Sequence, residues 1–306
     1  MNPSPLAGEA LSSRIADIDG PPELLERGGF KWVYRALVNG VTEALKVVPL
    51  IGVDDSDASP ELEEAFLAEQ AARVRREIES LRKCVVPQIV KLGQIAPVAL
   101  EIDGQRYLAY SEEFVEGEDL WRLLRSGRSR PELAELIELF VSLLTGIEEL
   151  WRHGYVHRDI KPHNVIRTNR ADRRFVLLDL GIAFAIRETA LTHRPQERMP
   201  LATYRYLAPE MMRPDFRDRI DYRTDLYTTG LTVFEYAAGC HPLARDADDL
   251  MRTISRALHQ PPAPLSRYRP DLPPAFCTIV DRLLRKQPAL RPANLSVMRR
   301  VLEELR

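Results

Sequence analysis

The chain has 306 residues, of which 45% are hydrophobic and 29% are charged, and its formal net charge is −2. This composition is typical of a globular protein and excludes bulk disorder and a collagen-like or low-complexity fibre. The near balance of acidic and basic residues gives no strong field of either sign, so we expect no nucleic-acid partner.

The three cysteines, Cys84, Cys240 and Cys277, are far apart and form no Cys-x-x-Cys pair, so a disulfide framework or a cysteine zinc site is not expected. Thiols in this number and spacing favour a reducing, cytoplasmic setting. The N-terminus lacks the basic and apolar regions of a signal peptide. No run of about 18 apolar residues predicts a membrane span, so we expect no membrane association.

The first part of the chain predicts an arm followed by strands. Residues 1–21 are rich in Pro, Gly and Ser and show weak periodicity, which favours an N-terminal arm or tail. Gly28 and Gly29 favour a tight hairpin between the first two strands. The predicted strands are 22–27, 30–38 and 42–49.

A long helix is predicted next, because Ser59-Pro60 is a favourable helix start and apolar residues recur at helical spacing to about Cys84. Two further strands are predicted at 89–95 and 105–114, with a turn at Asp103-Gly104. From about residue 118 the pattern is mainly helical, apart from a short hairpin. The helical segments are 131–153, 224–239, 247–258, 273–285 and 293–305, and the hairpin strands are 164–168 and 175–179.

Ordered motifs carry the chemistry of the second half. The segment HRDIKPHNVI starts at His157, Asp179 lies in VLLDLG, Glu210 ends YLAPE, and Lys46 lies upstream in ALKVV. This ordered set resembles the eukaryotic-like (bacterial-type) Ser/Thr protein kinase family over about 22–302. The resemblance implies an α+β, bilobal protein-kinase-like fold. Its domains would be a small β-rich N-lobe and a larger α-helical C-lobe, with the boundaries 22–116 and 117–306.

The resemblance implies transfer of a phosphoryl group from ATP with Mg²⁺, or with Mn²⁺ in its place. Asp159 would orient the acceptor hydroxyl, and Lys161 would contact the moving γ-phosphate. Thr203 would contact both of these residues. Asn164 and Asp179 would hold the metal, since Mg²⁺ prefers hard oxygen ligands. Lys161 also favours Ser and Thr over Tyr as acceptors.

In the resembled family a strand lysine holds the α- and β-phosphates and a helix glutamate pairs with it; Lys46 and Glu77 occupy these positions. Asp225 would brace the loop over 157–164 that carries Asp159, which is called the catalytic loop below. Glu210 would pair with Arg291. The remaining nucleotide contacts implied by the resemblance are Gly28, Gly29, Lys31, Val33, Ala44, Glu113, Val115 and Ile166.

Regulation by phosphate is also implied. Arg158 precedes Asp159 and would form a basic pocket that a phosphorylated activation loop neutralises. Thr189 and Thr192 lie in that loop and are the candidate phosphosites.

The sequence departs from the family pattern in the glycine-rich loop between the first two strands. It departs again at Glu112, directly before the segment 113–115 that connects the two lobes in the family (the hinge). Of three expected glycines only Gly28 remains, because Glu26 and Lys31 replace the others. Lys31 could bind a phosphate oxygen, pair with an acid such as Glu26, or face solvent. Glu112 occupies a position that is usually apolar, where it would either contact Lys46 in competition with Glu77 or face solvent in a shifted register.

The sequence is compatible with three functions. The leading hypothesis is an active ATP-dependent protein kinase that acts on protein substrates and on itself. The altered glycine loop motivates a pseudokinase that binds nucleotide or partners without transfer. A small-molecule phosphotransferase is the third, although such enzymes generally lack a segment like LATYRYLAPE.

Overall fold

The fold is described from a computed structural model. The described residues are 4–28, 31–51, 59–127, 130–180, 184–185, 204–213, 215, 220–245 and 248–306. The chain divides into two compact units. The first comprises residues 1–83 and 90–115, and the second comprises residues 84–89 and 116–306.

The first unit is built on an antiparallel five-stranded sheet with the order β1-β2-β3-β5-β4. The sequence prediction of β1, β2, β3 and β5 is confirmed. Asp103 and Gly104 both have positive φ, 51° and 74°, and form the predicted turn between the last two strands. The strands are Glu23–Arg27 (β1), Trp32–Val38 (β2), Val41–Leu50 (β3), Val98–Ile102 (β4) and Gln105–Glu113 (β5).

The predicted strand over 89–95 is wrong. Ile89 and Leu92 make isolated bridges only, and the edge strand that pairs with β5 is β4, over Val98–Ile102. Ile89 and Val90 are buried, at 0% and 1% exposure, and this burial accounts for the apolar character of the segment. The segment does not form a strand of the sheet. A buried loop and a strand give the same short apolar run.

The long predicted helix is confirmed as α2, which spans Pro60–Lys83. One face buries Ala71, Val74 and Ile78 against Leu108 and Tyr110 of β5. This spacing of three and four residues is that of a helix face packed on a core. Leu62 and Val85 also fall at helical spacing in this apolar pattern, but both are exposed.

The N-terminal segment packs on the sheet of the first unit. It contains a short helix, α1, over Gly8–Ser12. Leu11 is fully buried in one core cluster with Trp32 and Tyr34 of β2. The Tyr34 hydroxyl also donates a hydrogen bond to the carbonyl of Leu6 at 2.9 Å. The segment therefore contributes core residues as well as covering the sheet.

The second unit is mainly helical and contains the core of the C-terminal part of the chain. Helices α4 (Leu133–Arg152) and α5 (Tyr222–Ala238) supply much of its buried apolar surface, including Phe140 and Phe234. The predicted hairpin is present as β8 and β9, which pair antiparallel. The helices are Leu120–Arg125 (α3), Leu133–Arg152 (α4), Tyr222–Ala238 (α5), Leu250–His259 (α6), Pro274–Leu283 (α7) and Leu295–Glu304 (α8). The strands are Glu118–Asp119 (β6), Tyr155–Val156 (β7), Val165–Arg167 (β8), Phe175–Leu177 (β9) and Phe184–Ala185 (β10).

None of the helices within the described residues combines the length and apolar character needed to cross a membrane.

Candidate active site

The loop after β7 is held by a buried carboxylate. Asp225, in the first turn of α5, accepts hydrogen bonds from the backbone N–H groups of His157 at 2.8 Å and Arg158 at 2.7 Å. Arg158 has a φ of 70°, an uncommon backbone conformation for a non-glycine residue. The two hydrogen bonds stabilise this conformation, so Asp225 fixes the backbone immediately before Asp159, as the resemblance implied.

His157 is fully buried and contacts this loop from within. Its Nδ1 accepts a hydrogen bond from the Asp159 N–H at 3.2 Å, and its Nε2 lies 3.1 Å from the carbonyl of Leu178. With Nδ1 as acceptor, Nε2 is the protonated nitrogen of a neutral ring. Burial lowers the pKa of His157 and favours this neutral form.

Two other predicted residues contact Asp159. The Lys161 ammonium donates to both carboxylate oxygens, at 2.9 and 2.7 Å. The Asn164 amide donates to Asp159 Oδ2 at 2.9 Å and to the Asp159 carbonyl at 2.8 Å. Asp159 is 7% exposed. The carboxylate is therefore fixed in orientation by two side chains of its own loop.

The hairpin of β8 and β9 brings the two predicted metal ligands to one end. Asn164 immediately precedes β8, and Asp179 follows β9 by two residues, with Val165 paired to Leu177. The N–H of Leu178 donates to the Asn164 carbonyl at 2.8 Å and closes this end. Asp179 has a φ of 62°, so the chain turns sharply here.

These residues fit a magnesium ion that is bound together with phosphates. Because the Asn164 amide nitrogen is already used, its amide oxygen is the atom left for a cation. Within the described part of the chain, no group of three or more His, Cys, Asp or Glu side chains could hold a metal alone. Mg²⁺ commonly takes one or two carboxylates and completes its shell with substrate phosphates and water.

Lys46 lies on β3 in the first unit and is 4% exposed. Its ammonium forms an ion pair with the carboxylate of Glu112 on β5, which is 2% exposed. Ala44 is the register partner of Glu112, so Lys46 and Glu112 are diagonal neighbours on one face of the sheet. The contact between Lys46 and Glu112, one of the two arrangements expected from sequence, is confirmed.

The other predicted nucleotide contacts of the first unit lie on or beside the same strands. Val33 is paired with Lys46, and both Val33 and Ala44 remain partly exposed. Two hydrogen bonds to the backbone of Lys91 fix the position of Glu113. Its carboxylate accepts from the Lys91 N–H at 2.6 Å, and its own N–H donates to the Lys91 carbonyl at 2.9 Å. Val115, two residues beyond, is partly exposed.

The turn between β1 and β2 has one described glycine. The Gly28 N–H donates to the Lys31 carbonyl at 2.9 Å. A Cβ at Gly28 would approach that carbonyl oxygen to 2.9 Å, so the turn excludes larger residues. Lys31 directly precedes β2, and Ile166 lies in the second unit on β8, paired with Val176.

Several predicted residues lie outside the described residues: Gly29, Thr189, Thr192 and Thr203. Glu77 lies on α2, as predicted, but its side chain is likewise outside the description.

The predicted pair of Glu210 and Arg291 is confirmed. The Arg291 guanidinium donates to both Glu210 oxygens, at 2.6 and 2.8 Å, and both residues are at most 4% exposed. Arg291 also donates to the carbonyl of Arg223 at 2.8 Å. This bidentate pair anchors the segment that ends in Glu210 to the helical core of the second unit.

Comparison with known proteins identifies the family. Residues 24–302 match the family model described as the protein kinase domain. The chain belongs to the protein kinase domain family. This match covers the strand lysine, the catalytic loop and the buried ion pair described above.

The curated relatives are serine/threonine-protein kinases. The chain is 30% identical over 290 residues to PknH of Mycobacterium tuberculosis, an alignment that covers 94% of this chain and 42% of that protein. It is 30% identical over 277 residues to a probable serine/threonine-protein kinase of Streptomyces coelicolor, with 90% and 38% covered. The chain thus spans less than half the length of these relatives.

Solved structures share the fold. The chain resembles the kinase domain of M. tuberculosis PknI with a TM-score of 0.65 and 22% identity, covering 99% of this chain and 100% of that one. This structural likeness supports the α+β, bilobal kinase fold that the sequence motifs implied.

Proposed function

We propose that the chain is a Ser/Thr protein kinase that transfers the γ-phosphoryl group of ATP to Ser and Thr hydroxyls of proteins, itself included. The observation that carries this proposal is the Asp159 carboxylate, which Lys161 and Asn164 hold in a braced loop. Phosphoryl transfer needs positioning and charge stabilisation more than covalent chemistry, and this arrangement supplies both.

Asp159 accepts the hydrogen of the acceptor hydroxyl and so aims the attacking oxygen. Lys161, which holds Asp159 in this structure, stabilises the negative charge of the moving phosphoryl group. Asn164 and Asp179 would hold Mg²⁺, or Mn²⁺ in its place, which neutralises phosphate charge when bound. Thr203 would complete this set by contacting Asp159 and Lys161.

In the first unit Lys46 anchors the phosphates, with Glu77 as its proposed helix partner. The resemblance implies that the nucleotide base and sugar would contact five residues that are partly exposed. These positions are Val33, Ala44, Glu113, Val115 and Ile166. Gly28 and Gly29 would approach the phosphates through their N–H groups, and Lys31 would add its charge.

Autophosphorylation at Thr189 or Thr192 is part of the proposal, and Arg158 would receive the phosphate. The protein substrates are also a proposal, because the relatives extend well beyond the region matched here.

The three cysteines Cys84, Cys240 and Cys277 are free thiols. Free thiols support a reducing, cytoplasmic setting.

The test is transfer from labelled ATP with Mg²⁺ to a mixture of unfolded proteins, followed by phosphoamino-acid analysis. We expect phosphoserine and phosphothreonine without phosphotyrosine. Asp159→Asn should lower transfer by at least about a hundredfold, the scale of a lost general base. Equal transfer by wild type and Asp159→Asn would overturn the assignment of Asp159. Transfer to a small hydroxylated molecule but to no protein would overturn the substrate class.

A further inference from the structure

A cavity of about 990 Å³ lies within the second unit, lined in part by α3, by the segment after α5 and by α6. Its walls are basic. Of the described residues that line the cavity, Glu235 alone carries a carboxylate. The cationic residues of its lining are Arg125, Arg205, Arg245, Arg256 and Arg267.

Two described acidic residues beside the cavity, Glu235 and Asp248, are already engaged. Glu235, at the end of α5, accepts a hydrogen bond from the Tyr206 hydroxyl. Arg256 is paired with Asp248 at 3.0 Å. Three exposed arginines form no ion pair with any described carboxylate. These are Arg125, Arg245 and Arg267.

The cavity adjoins the catalytic loop through stacked side chains. The Trp121 ring, in the cavity wall, stacks on the His163 ring with 4.4 Å between centroids and 23° between planes. The Arg125 guanidinium lies 4.3 Å from the Trp121 ring centroid. His163 directly precedes Asn164, so this stack connects the basic wall to the residues around Asp159.

We propose that this basic cavity binds a glutamate- or aspartate-rich segment of the protein substrate. The inference rests on the proposed kinase function and names its substrate class. Guanidinium groups recognise carboxylates through paired N–H donors, and an excess of exposed arginine favours an acidic partner. Such complementarity selects among partners more than it adds affinity, so the cavity acts in substrate choice.

The experiment compares labelled peptides that carry one threonine flanked by glutamates, lysines or serines. Binding to the full chain is measured by fluorescence anisotropy, and phosphorylation of the same peptides is measured in parallel. We expect the glutamate peptide to bind about tenfold more tightly than the lysine peptide, the scale of two or more favourable surface charge pairs. The preference should weaken when ionic strength rises, because these pairs are exposed.

Charge reversal locates the effect. The double variant Arg245→Glu with Arg267→Glu should remove the preference for the glutamate peptide. The matched control is Arg282→Glu with Arg300→Glu, which makes the same change in net charge at exposed positions outside the cavity lining. The control should keep the preference. Equal binding of the peptides by wild type, or equal losses in both double variants, would overturn the proposal.

Different results would overturn the proposed kinase function and the proposed binding of an acidic substrate segment. If the glutamate peptide binds selectively through Arg245 and Arg267 but no peptide or protein is phosphorylated, the proposed kinase function fails and the acidic binding site stands. If all peptides are phosphorylated and bound equally, the kinase function stands and the substrate-class inference is wrong.

Discussion

The Lys46–Glu112 ion pair places two opposite charges inside the sheet of the first unit. Both side chains are nearly inaccessible to water. Charges are expensive to bury, and each is tolerated because the other compensates it. The family that the chain resembles usually has an apolar residue at the position of Glu112, so its pattern does not supply this strand partner of Lys46. This contact stabilises the lysine within the sheet itself.

A double-mutant cycle tests the strength of this pair. Lys46→Met and Glu112→Met should each destabilise the protein, because each leaves one buried charge without this partner. The double variant should be less destabilised than the sum of the two by about 1–3 kcal/mol. Chemical unfolding of the four proteins gives the coupling energy. Additivity within about 0.5 kcal/mol would contradict a strong interaction.

The motifs of the sequence predict the main chemical residues, whereas the contact of Glu112 stays open at the level of the sequence. Lys46, Asp159, Asn164 and Asp179 could be named because their motifs have a fixed order and local context. The partner of Glu112 stayed open, because a diagonal contact depends on the register of β3 against β5, and a one-residue shift moves a side chain to the other face.

At the scale of elements, the long and strongly periodic segments were the predictable ones. Helix α2 and the hairpin of β8 and β9 follow directly from apolar spacing and turn residues. The weak periodicity of residues 1–21 predicts an arm or tail, because a weakly periodic segment does not reveal isolated core residues. In the structure, Leu11, Ile15 and Ile18 of that segment are buried against the sheet.

A buried leucine in the N-terminal segment should be important for stability. Leu11→Ala should destabilise the protein by about 2–4 kcal/mol, the usual cost of truncating a core leucine. Leu37→Ala is the matched control, since Leu37 lies on β2 and the residue is 44% exposed. It should change stability by about 0.5 kcal/mol or less. Equal effects of the two substitutions on chemical unfolding would show that the segment does not belong to the core.

For the whole molecule, buried titratable groups set how stability changes with pH. Burial lowers the pKa of His241 to about 3, and the nearby charge of Arg205 adds to this effect. The ring is neutral in the folded state and its Nδ1 accepts from the N–H groups of Leu243 and Ala244, at 3.1 and 2.8 Å. Burial also raises the pKa of Asp225 to about 7, which acts in the opposite direction.

His241 should therefore destabilise the protein in acid. Below its ordinary pKa the unfolded chain binds a proton that the folded chain does not, so stability is full above about pH 6.5 and falls as the pH decreases towards 3. At about pH 5 the loss from this residue is about 2 kcal/mol.

His241→Asn isolates this contribution, because Asn retains an acceptor for the two N–H groups but does not titrate. The free energy of unfolding is measured at about pH 8 and about pH 5 for both proteins. The variant should lose about 2 kcal/mol less than wild type over this interval. Parallel losses in the two proteins would contradict the assignment. Asp225 cancels in the comparison because both proteins contain it.

The basic cavity belongs to the level of the whole molecule and could not be predicted from sequence. Its arginines come from segments as far apart as Arg125 and Arg267, and the net charge of −2 conceals a local excess of positive charge. The stacking of Trp121, on α3, against His163 shows that these charges lie beside the loop that carries Asp159.

The most direct test of the central claim is the intact mass of the purified chain before and after incubation with Mg²⁺ and ATP, with Asp159→Asn treated in the same way. We expect phosphoryl mass steps in the wild type alone, with peptide mapping placing phosphate on Thr189 or Thr192. Mass steps of equal number in both proteins would contradict the role of Asp159. Their absence from the wild type, together with no transfer to added proteins, would contradict kinase activity.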